Sequence, residues 1–254
     1  MHIEPVSADP PHLTGRETAT QQWRDLVFLH WRVPASVVAP LLPAGTRPDE
    51  YDGDSWVGLI GFDLLDATLF GSPPVPIFGS FTEINVRLYA VDARGRRGVV
   101  FRSLEASRLL AVVGARAVFS IPYFWAGTSH LVSGDRHTYE GVRYGGSRPS
   151  TVFSVTRGRR VVSDPLAEFL TARWALFTSR GHRTIRLPNT HERWVLEDAR
   201  LERLDDRLVA AAGLAGIADR EPDSVLFSPG VRARFGGAQR VVGDTGLEPM
   251  TSSV

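Results

Sequence analysis

The sequence predicts an α+β protein built mostly of antiparallel strands, and three observations carry that prediction. About ten segments show the alternation, or the β-branched and aromatic content, of strands, against two or three with a helical period. The strands follow one another through Gly-, Pro- and Asp-containing turns instead of alternating with helices, which disfavours a parallel α/β sheet. Hydrophobic residues make up 43% of the 254, enough to bury a sizeable core.

Residues 1–21 are polar and proline-containing and are expected to form a flexible N-terminal segment. Residues 22–235 are expected to form a single domain, and 236–254 a flexible tail with neither period. Residues 25–33 (DLVFLHWRV) read as a buried strand that Pro34 stops, with a brief helix over ASVVAPLL behind it. SWVGLIGFDLLDATLF is a long strand candidate in which Gly58 and Gly61 predict a bend or bulge. Residues 81–91 alternate cleanly, and the turn DARGRRG joins them to 99–106 as a hairpin. Ser107 is placed to cap a helix over RLLAVVGARAVF. WAGTSHLV and 136–144 flank the turn Ser133-Gly134-Asp135. Asp164 and Pro165 open the clearest helix, with Leu166, Phe169, Leu170, Trp174 and Phe177 at helical spacing before Gly181. RTIRL, WVLEDARLERL and SVLFSPGVRARF read as strands, and DRLVAAAGL as a short helix.

Composition excludes several chemistries. All 29 basic residues are arginine, so no side-chain Schiff base, pyridoxal phosphate attachment or P-loop lysine is available. The absence of cysteine removes disulfides, thiolate nucleophiles and zinc-thiolate sites. A net charge of +1 argues against bulk nucleic-acid binding, and no apolar run is long enough to span a bilayer. A cytoplasmic protein is expected, with no cofactor and no membrane partner; self-association into a homo-oligomer is left open. No metal site is expected either, because His30, His130, His137, His182 and His191 occur singly without zincin spacing.

The most informative pattern is on residues 81–91, where one face is apolar and the other reads Glu83, Asn85, Arg87, Tyr89. On an open sheet that face would meet water; in a closed one it could line the lumen, with Glu83 and Arg87 paired or gripping a small polar ligand. An arginine fork facing a cavity suits a carboxylate. Arg116 interrupts an apolar helix candidate, and Tyr123 follows Pro122 as a candidate hydrogen-bond donor or an ordinary core tyrosine. His30 lies within an apolar strand, as a general base or a satisfied core histidine. The RGRR tetrapeptides at 94–97 and 157–160 are both expected in hairpin turns.

Taken in order, LVFLHWRVP, LLPAGTRPDEYDGDSWVGLIGF, FTEINVRLY, GVVFRSLEAS, ARAVFSIPYFWA, FLTARWALF and THERWVLEDARL resemble the YqjF-like family of uncharacterised bacterial proteins, grouped with the acetoacetate decarboxylase-like superfamily. The resemblance implies a conical, partly closed β-barrel around a cavity, in which Glu83 and Arg87 face the lumen. The decarboxylases of that superfamily carry a Gly-Arg-Glu segment, then a proline followed by the Schiff-base lysine and commonly a second lysine. Here Arg116 matches the arginine, Ala117 replaces the glutamate, and Tyr123 and Phe124 stand after Pro122 in place of the lysines. The resulting expectation is a protein binding a small, anionic organic ligand through Arg87, Arg116, Tyr123 and Asn85. Acid–base catalysis by Glu83, with His30 as a weaker candidate, is one alternative; a structural or interaction module without a ligand is the other.

Overall fold

The structure, a computed structural model, describes residues 2–73, 80–108 and 121–241. Its thirteen strands are β1 (Ala19–Val33), β2 (Thr46–Pro48), β3 (Ser55–Leu69), β4 (Phe81–Asp92), β5 (Arg97–Ala106), β6 (Tyr123–Ser133), β7 (Arg136–Arg143), β8 (Ser150–Val161), β9 (Ala175–Arg180), β10 (Arg183–Thr190), β11 (Glu197–Asp206), β12 (Ser224–Phe235) and β13 (Gln239–Arg240). Three short α-helices accompany them among the described residues: α1 (Ala35–Val38), α2 (Pro165–Thr171) and α3 (Leu208–Ala211). The strands form one sheet in the order β13-β10-β9-β5-β6-β7-β8-β11-β12-β1-β3-β4-β2, and a further β4–β5 pairing brings the run from β5 to β4 back on itself. The pairing is antiparallel except where β5 meets β6 and β9. β5 is therefore one branch point of the sheet: Val99 and Val100 pair with β9, while Leu104–Ala106 pair with β6.

The two faces of β1, β3 and β4 enter different cores. Val27, Leu29, Val57, Leu59, Ile84 and Val86 meet Tyr139 of β7, Phe153 of β8 and Phe227 of β12 inside the ring, where Val38 of α1 and Leu208 of α3 join them. On the other face, Phe28, Ile60, Phe62 and Leu64 pack against Ala167 of α2, and Trp56 and Tyr89 against Phe169 and Leu170. Burial at about 25 cal/mol per Å² of apolar surface is what holds each layer.

Several sequence expectations are corrected. The helix opened by Asp164 is real, and its carboxylate accepts from the Ala167 N–H at 2.8 Å. It stops at Thr171, however, and Phe177 lies in a strand, because β9 finds backbone partners on both sides, in β10 and β5. Tertiary pairing overrides an apparent helical spacing there. The 157–160 tetrapeptide is no turn: it continues β8, where Arg157 pairs with Glu197, Arg159 with Asp135 and Arg160 with Asp198. The other tetrapeptide does form a hairpin turn, organised by Asp92, whose carboxylate accepts from the Arg94 and Arg96 N–H groups. The first strand begins at Ala19, earlier than residue 25. The expected helix after Ser107, and Arg116 with it, lie outside the described residues, as does the tail beyond residue 241.

The β1/β3 register shifts lie beside Asp25 and Asp66, both at positive φ, and the one beside Asp25 ends at the Val27–Gly61 pair, while Gly58 lies in regular register. The two glycines also make room. A Cβ on Gly58 would lie 3.1 Å from the His30 ring, and one on Gly61 would lie 2.7 Å from both Tyr139 and Phe153. Gly61→Ala is expected to lose about 1–3 kcal/mol by overpacking the ring interior, measurable by urea unfolding. An unchanged midpoint would show that the aromatic pair can move.

No helix among the described residues is long and apolar enough to cross a membrane.

Candidate functional site

Strand alternation puts Glu83, Asn85, Arg87 and Tyr89 on one face of β4, and that face is covered. Its apolar opposite, Ile84 to Ala90, fills the ring interior, so the polar face looks instead toward α2 and Tyr123. This corrects both the solvent and the lumen expectations: the apolar face has the Tyr139 and Phe153 rings to meet across the ring, and the polar face is left to the second layer.

At one end of the face Glu83 is 2% exposed. Its Oε2 accepts from the Tyr123 hydroxyl at 2.7 Å and its Oε1 from Asn85 Nδ2 at 3.3 Å. Burial pushes the carboxyl up to about 7, against the two hydrogen bonds and with help from the Glu105 charge. Burial and the Glu83 carboxylate likewise push the Tyr123 phenol well up, so it remains a donor. Glu105 is itself gripped by Arg143, whose Nε and Nη2 donate at 3.0 and 2.5 Å while the guanidinium lies 3.6 Å from the Phe124 ring centre.

At the other end, Arg87 donates from Nε to the Tyr89 hydroxyl at 3.0 Å and from Nη2 to the Leu170 carbonyl at 3.0 Å. Tyr89 donates to the same carbonyl at 3.1 Å. Its oxygen, with its proton thus committed, must accept from His30 Nε2 at 2.6 Å, which fixes the Nε2–H tautomer. His30 is fully buried, and burial followed by the Arg87 and Arg173 charges holds it well below the ordinary histidine range, so it is neutral. Its Nδ1 has no hydrogen-bond partner among the described residues, and neither does Asn85 Oδ1.

The structure thus brings Glu83, Asn85 and Tyr123 together, and separately His30 and Arg87. Glu83 and Arg87 do not pair: four residues along a strand separate their backbones by about 13 Å, and Arg87 leans toward Tyr89. The Glu83–Arg87 pairing that the shared face allowed is therefore absent. Arg87 has no carboxylate partner among the described residues, and its guanidinium lies 5.5 Å from the Phe28 and Tyr89 ring centres. Sequence reading missed the Leu170 carbonyl and the buried Arg173, both delivered by the end of α2. It also missed that His130 and His137, seven apart, stand diagonally across the β6–β7 hairpin, a proximity the turn at 133–135 would have shown.

A model of the family described as DUF2071, uncharacterized conserved protein (COG2071), matches residues 20–232. The chain is 31% identical over 203 residues to the uncharacterized protein YqjF of Bacillus subtilis (strain 168), spanning 76% of this chain and 81% of that protein. Among solved structures it is similar to the acetoacetate decarboxylase of Legionella pneumophila, with a TM-score of 0.67 and 14% identity, covering 89% of this chain and 87% of that one. It is also similar to the enduracididine biosynthesis enzyme MppR complexed with pyruvate, with a TM-score of 0.59 and 14% identity over 89% and 91%. At such identities the likeness shows the fold, which is acetoacetate decarboxylase-like.

Proposed function

Because the chain belongs to the DUF2071 family of uncharacterized conserved proteins, and carries an acetoacetate decarboxylase-like fold, we propose that it binds a small organic acid, a carboxylate or keto acid, without a covalent bond. In this reading the closed run of strands is a conical barrel and the ligand lies on the β4 face that carries Glu83 and Arg87. The observation that carries the reading is Arg87, a half-buried guanidinium with no carboxylate partner among the described residues. Two of its nitrogens are held by Tyr89 and Leu170, so the fork is pre-oriented for an incoming carboxylate. Asn85 Oδ1 and His30 Nδ1, without a partner among the described residues, are acceptors that a ligand hydroxyl or enol could satisfy. Arg116 is the second arginine the resemblance brings to the ligand. The complex of MppR with pyruvate supports the keto acid class. A cytoplasmic location is part of the same reading.

A lysine iminium is excluded by the composition. Tyr123 stands where the resemblance places the lysine, and it donates its hydroxyl to Glu83. A second reading, acid–base catalysis such as enolisation, hydration or dehydration, is favoured by one observation. A buried carboxyl poised at about 7 is half protonated at neutral pH, as a proton-transfer group requires. In it Arg87 holds the carboxylate and Glu83 moves the proton.

Pyruvate, acetoacetate and oxaloacetate are the first probes for thermal stabilisation. At 100 times the dissociation constant a bound ligand adds about 2.7 kcal/mol, a shift of roughly 5–10 °C for a protein of this size. Arg87→Met is expected to abolish the shift. Stabilisation unchanged in that variant would remove the site from β4. Proton NMR of each binder then separates the two readings: consumption lost in Glu83→Gln marks an enzyme, and persistence of the ligand marks a binder.

A further inference from the structure

On the ring side of β4, away from Glu83, the β6–β7 hairpin brings together groups that the organic-acid reading does not use. Ligand-competent atoms of Asp25, Asp63 and His130 lie within 4.8 Å of one another. Asp63 Oδ1 accepts from the Thr82 hydroxyl at 2.7 Å, which leaves Oδ2 facing His130 Nδ1 at 2.8 Å. The other ring nitrogen, His130 Nε2, lies 3.1 Å from His137 Nδ1, and the ring is stacked on Tyr139 at 4.1 Å with the planes 6° apart. Tyr139 in turn donates its hydroxyl to the Asp25 carbonyl at 2.5 Å, holding the β1 bulge against the cluster. The Asp25 carboxylate has no hydrogen bond or ion pair among the described residues.

A neutral imidazole carries one N–H. That hydrogen sits on Nδ1 when His130 donates to Asp63; when a metal ion takes its place, the hydrogen is carried on Nε2 and donated to His137 Nδ1, 3.1 Å away, and the Nδ1 lone pair turns to the ion. The 2.8 Å between Asp63 Oδ2 and His130 Nδ1 matches neighbouring ligands of one ion, which stand about 3 Å apart when the bonds are near 2.1 Å, and Asp25 offers a carboxylate oxygen within 4.8 Å of both. We propose that Asp25, Asp63 and His130 bind a divalent transition-metal ion through one oxygen of each carboxylate and Nδ1 of the imidazole. His137 is the positioning residue that fixes the His130 tautomer, the role an outer hydrogen-bond partner plays for a ligating histidine. Two carboxylates with one imidazole suit Mn²⁺, Fe²⁺ or Zn²⁺ and not Cu⁺, which prefers sulfur ligands. Three protein ligands leave positions for water, and the Asp63 side chain, 28% exposed, gives the ion a way in.

The test uses the full chain freed of metal by chelator and dialysis, titrated with Zn²⁺ by calorimetry and with Co²⁺ by visible absorption. The expected result is one equivalent bound, with affinity reduced at least tenfold in Asp25→Asn and in His130→Gln, and about 10–100-fold in His137→Phe. Asp25→Asn removes no hydrogen bond of the cluster, so it keeps the test decisive even if His130→Gln fails to fold, and a thermal melt verifies its fold. Absence of stoichiometric binding would overturn the proposal and leave an ordinary hydrogen bond between His130 and Asp63. Binding that is unchanged in Asp25→Asn would overturn it as well, placing the ion on other histidines. Neither result bears on Arg87, so failure here and failure of the organic-acid reading are distinguishable.

Discussion

Asp49→Ala is expected to lower the unfolding free energy by about 3–5 kcal/mol, a large share of the 5–15 kcal/mol typical of a domain. Asp49 is 1% exposed and receives two arginines: Arg97 Nη1 at 2.5 Å from both carboxylate oxygens and Arg173 Nη1 at 2.5 Å from one of them. Arg173 is buried as well, donates from Nε to the Phe169 carbonyl at 2.7 Å, and lies 4.2 and 4.8 Å from the Phe169 and Tyr89 ring centres. Burial pulls its guanidinium below the ordinary arginine range, and the Asp49 charge is the largest influence opposing that. Removing the carboxylate strands two cations in a layer that holds the end of α2. The same layer supplies the Leu170 carbonyl that orients Arg87, so the variant is expected to weaken keto acid stabilisation along with the fold. Urea unfolding measures the first effect; a loss below about 1 kcal/mol would mean that the arginines find water or other partners.

Glu83→Gln is expected to do the opposite, and only above a certain pH. The ordinary carboxyl value of 4.5 rises to about 7 in the folded protein. Below 4.5 the group is protonated in both states and contributes no difference. Between 4.5 and 7 the unfolded chain has released the proton while the folded protein retains it, so stability falls as pH rises. Above 7 the burden levels off at roughly 3 kcal/mol, from 1.36 kcal/mol per pKa unit. Glutamine is neutral throughout, keeps an acceptor for the Tyr123 hydroxyl and adds a donor for Asn85 Oδ1. The variant should therefore match the wild type near pH 4 and exceed its stability at pH 8. A difference independent of pH, or a less stable variant at pH 8, would contradict a buried carboxyl with a raised pKa.

Much of this was legible in the sequence for a simple reason: a period of two survives tertiary packing. The clean alternation of 81–91 placed Glu83, Asn85, Arg87 and Tyr89 on one face correctly. It could not say which layer would cover them, because either face of a buried strand can pack inward. The 164–177 stretch misled because Phe169, Leu170 and Phe177 satisfy a helical spacing, although the last belongs to β9, paired with β5 and β10. Gly58 and Gly61 were read for a bend or bulge in β3, and the His30, Tyr139 and Phe153 rings that would collide with a Cβ there come from elements distant in sequence. The Asp49 network and the Asp63–His130 pair escaped notice because their members lie 48 to 124 and 67 residues apart, joined only by strand order.

The central claim, that a lysine-free chain of this fold holds an organic acid on the buried face of β4, is tested most directly by a crystal structure grown with pyruvate. The account predicts the pyruvate carboxylate within hydrogen-bonding distance, about 3 Å, of the Arg87 guanidinium, with no covalent link to the protein. A face closed by side chains, with pyruvate absent or bound elsewhere, would contradict it.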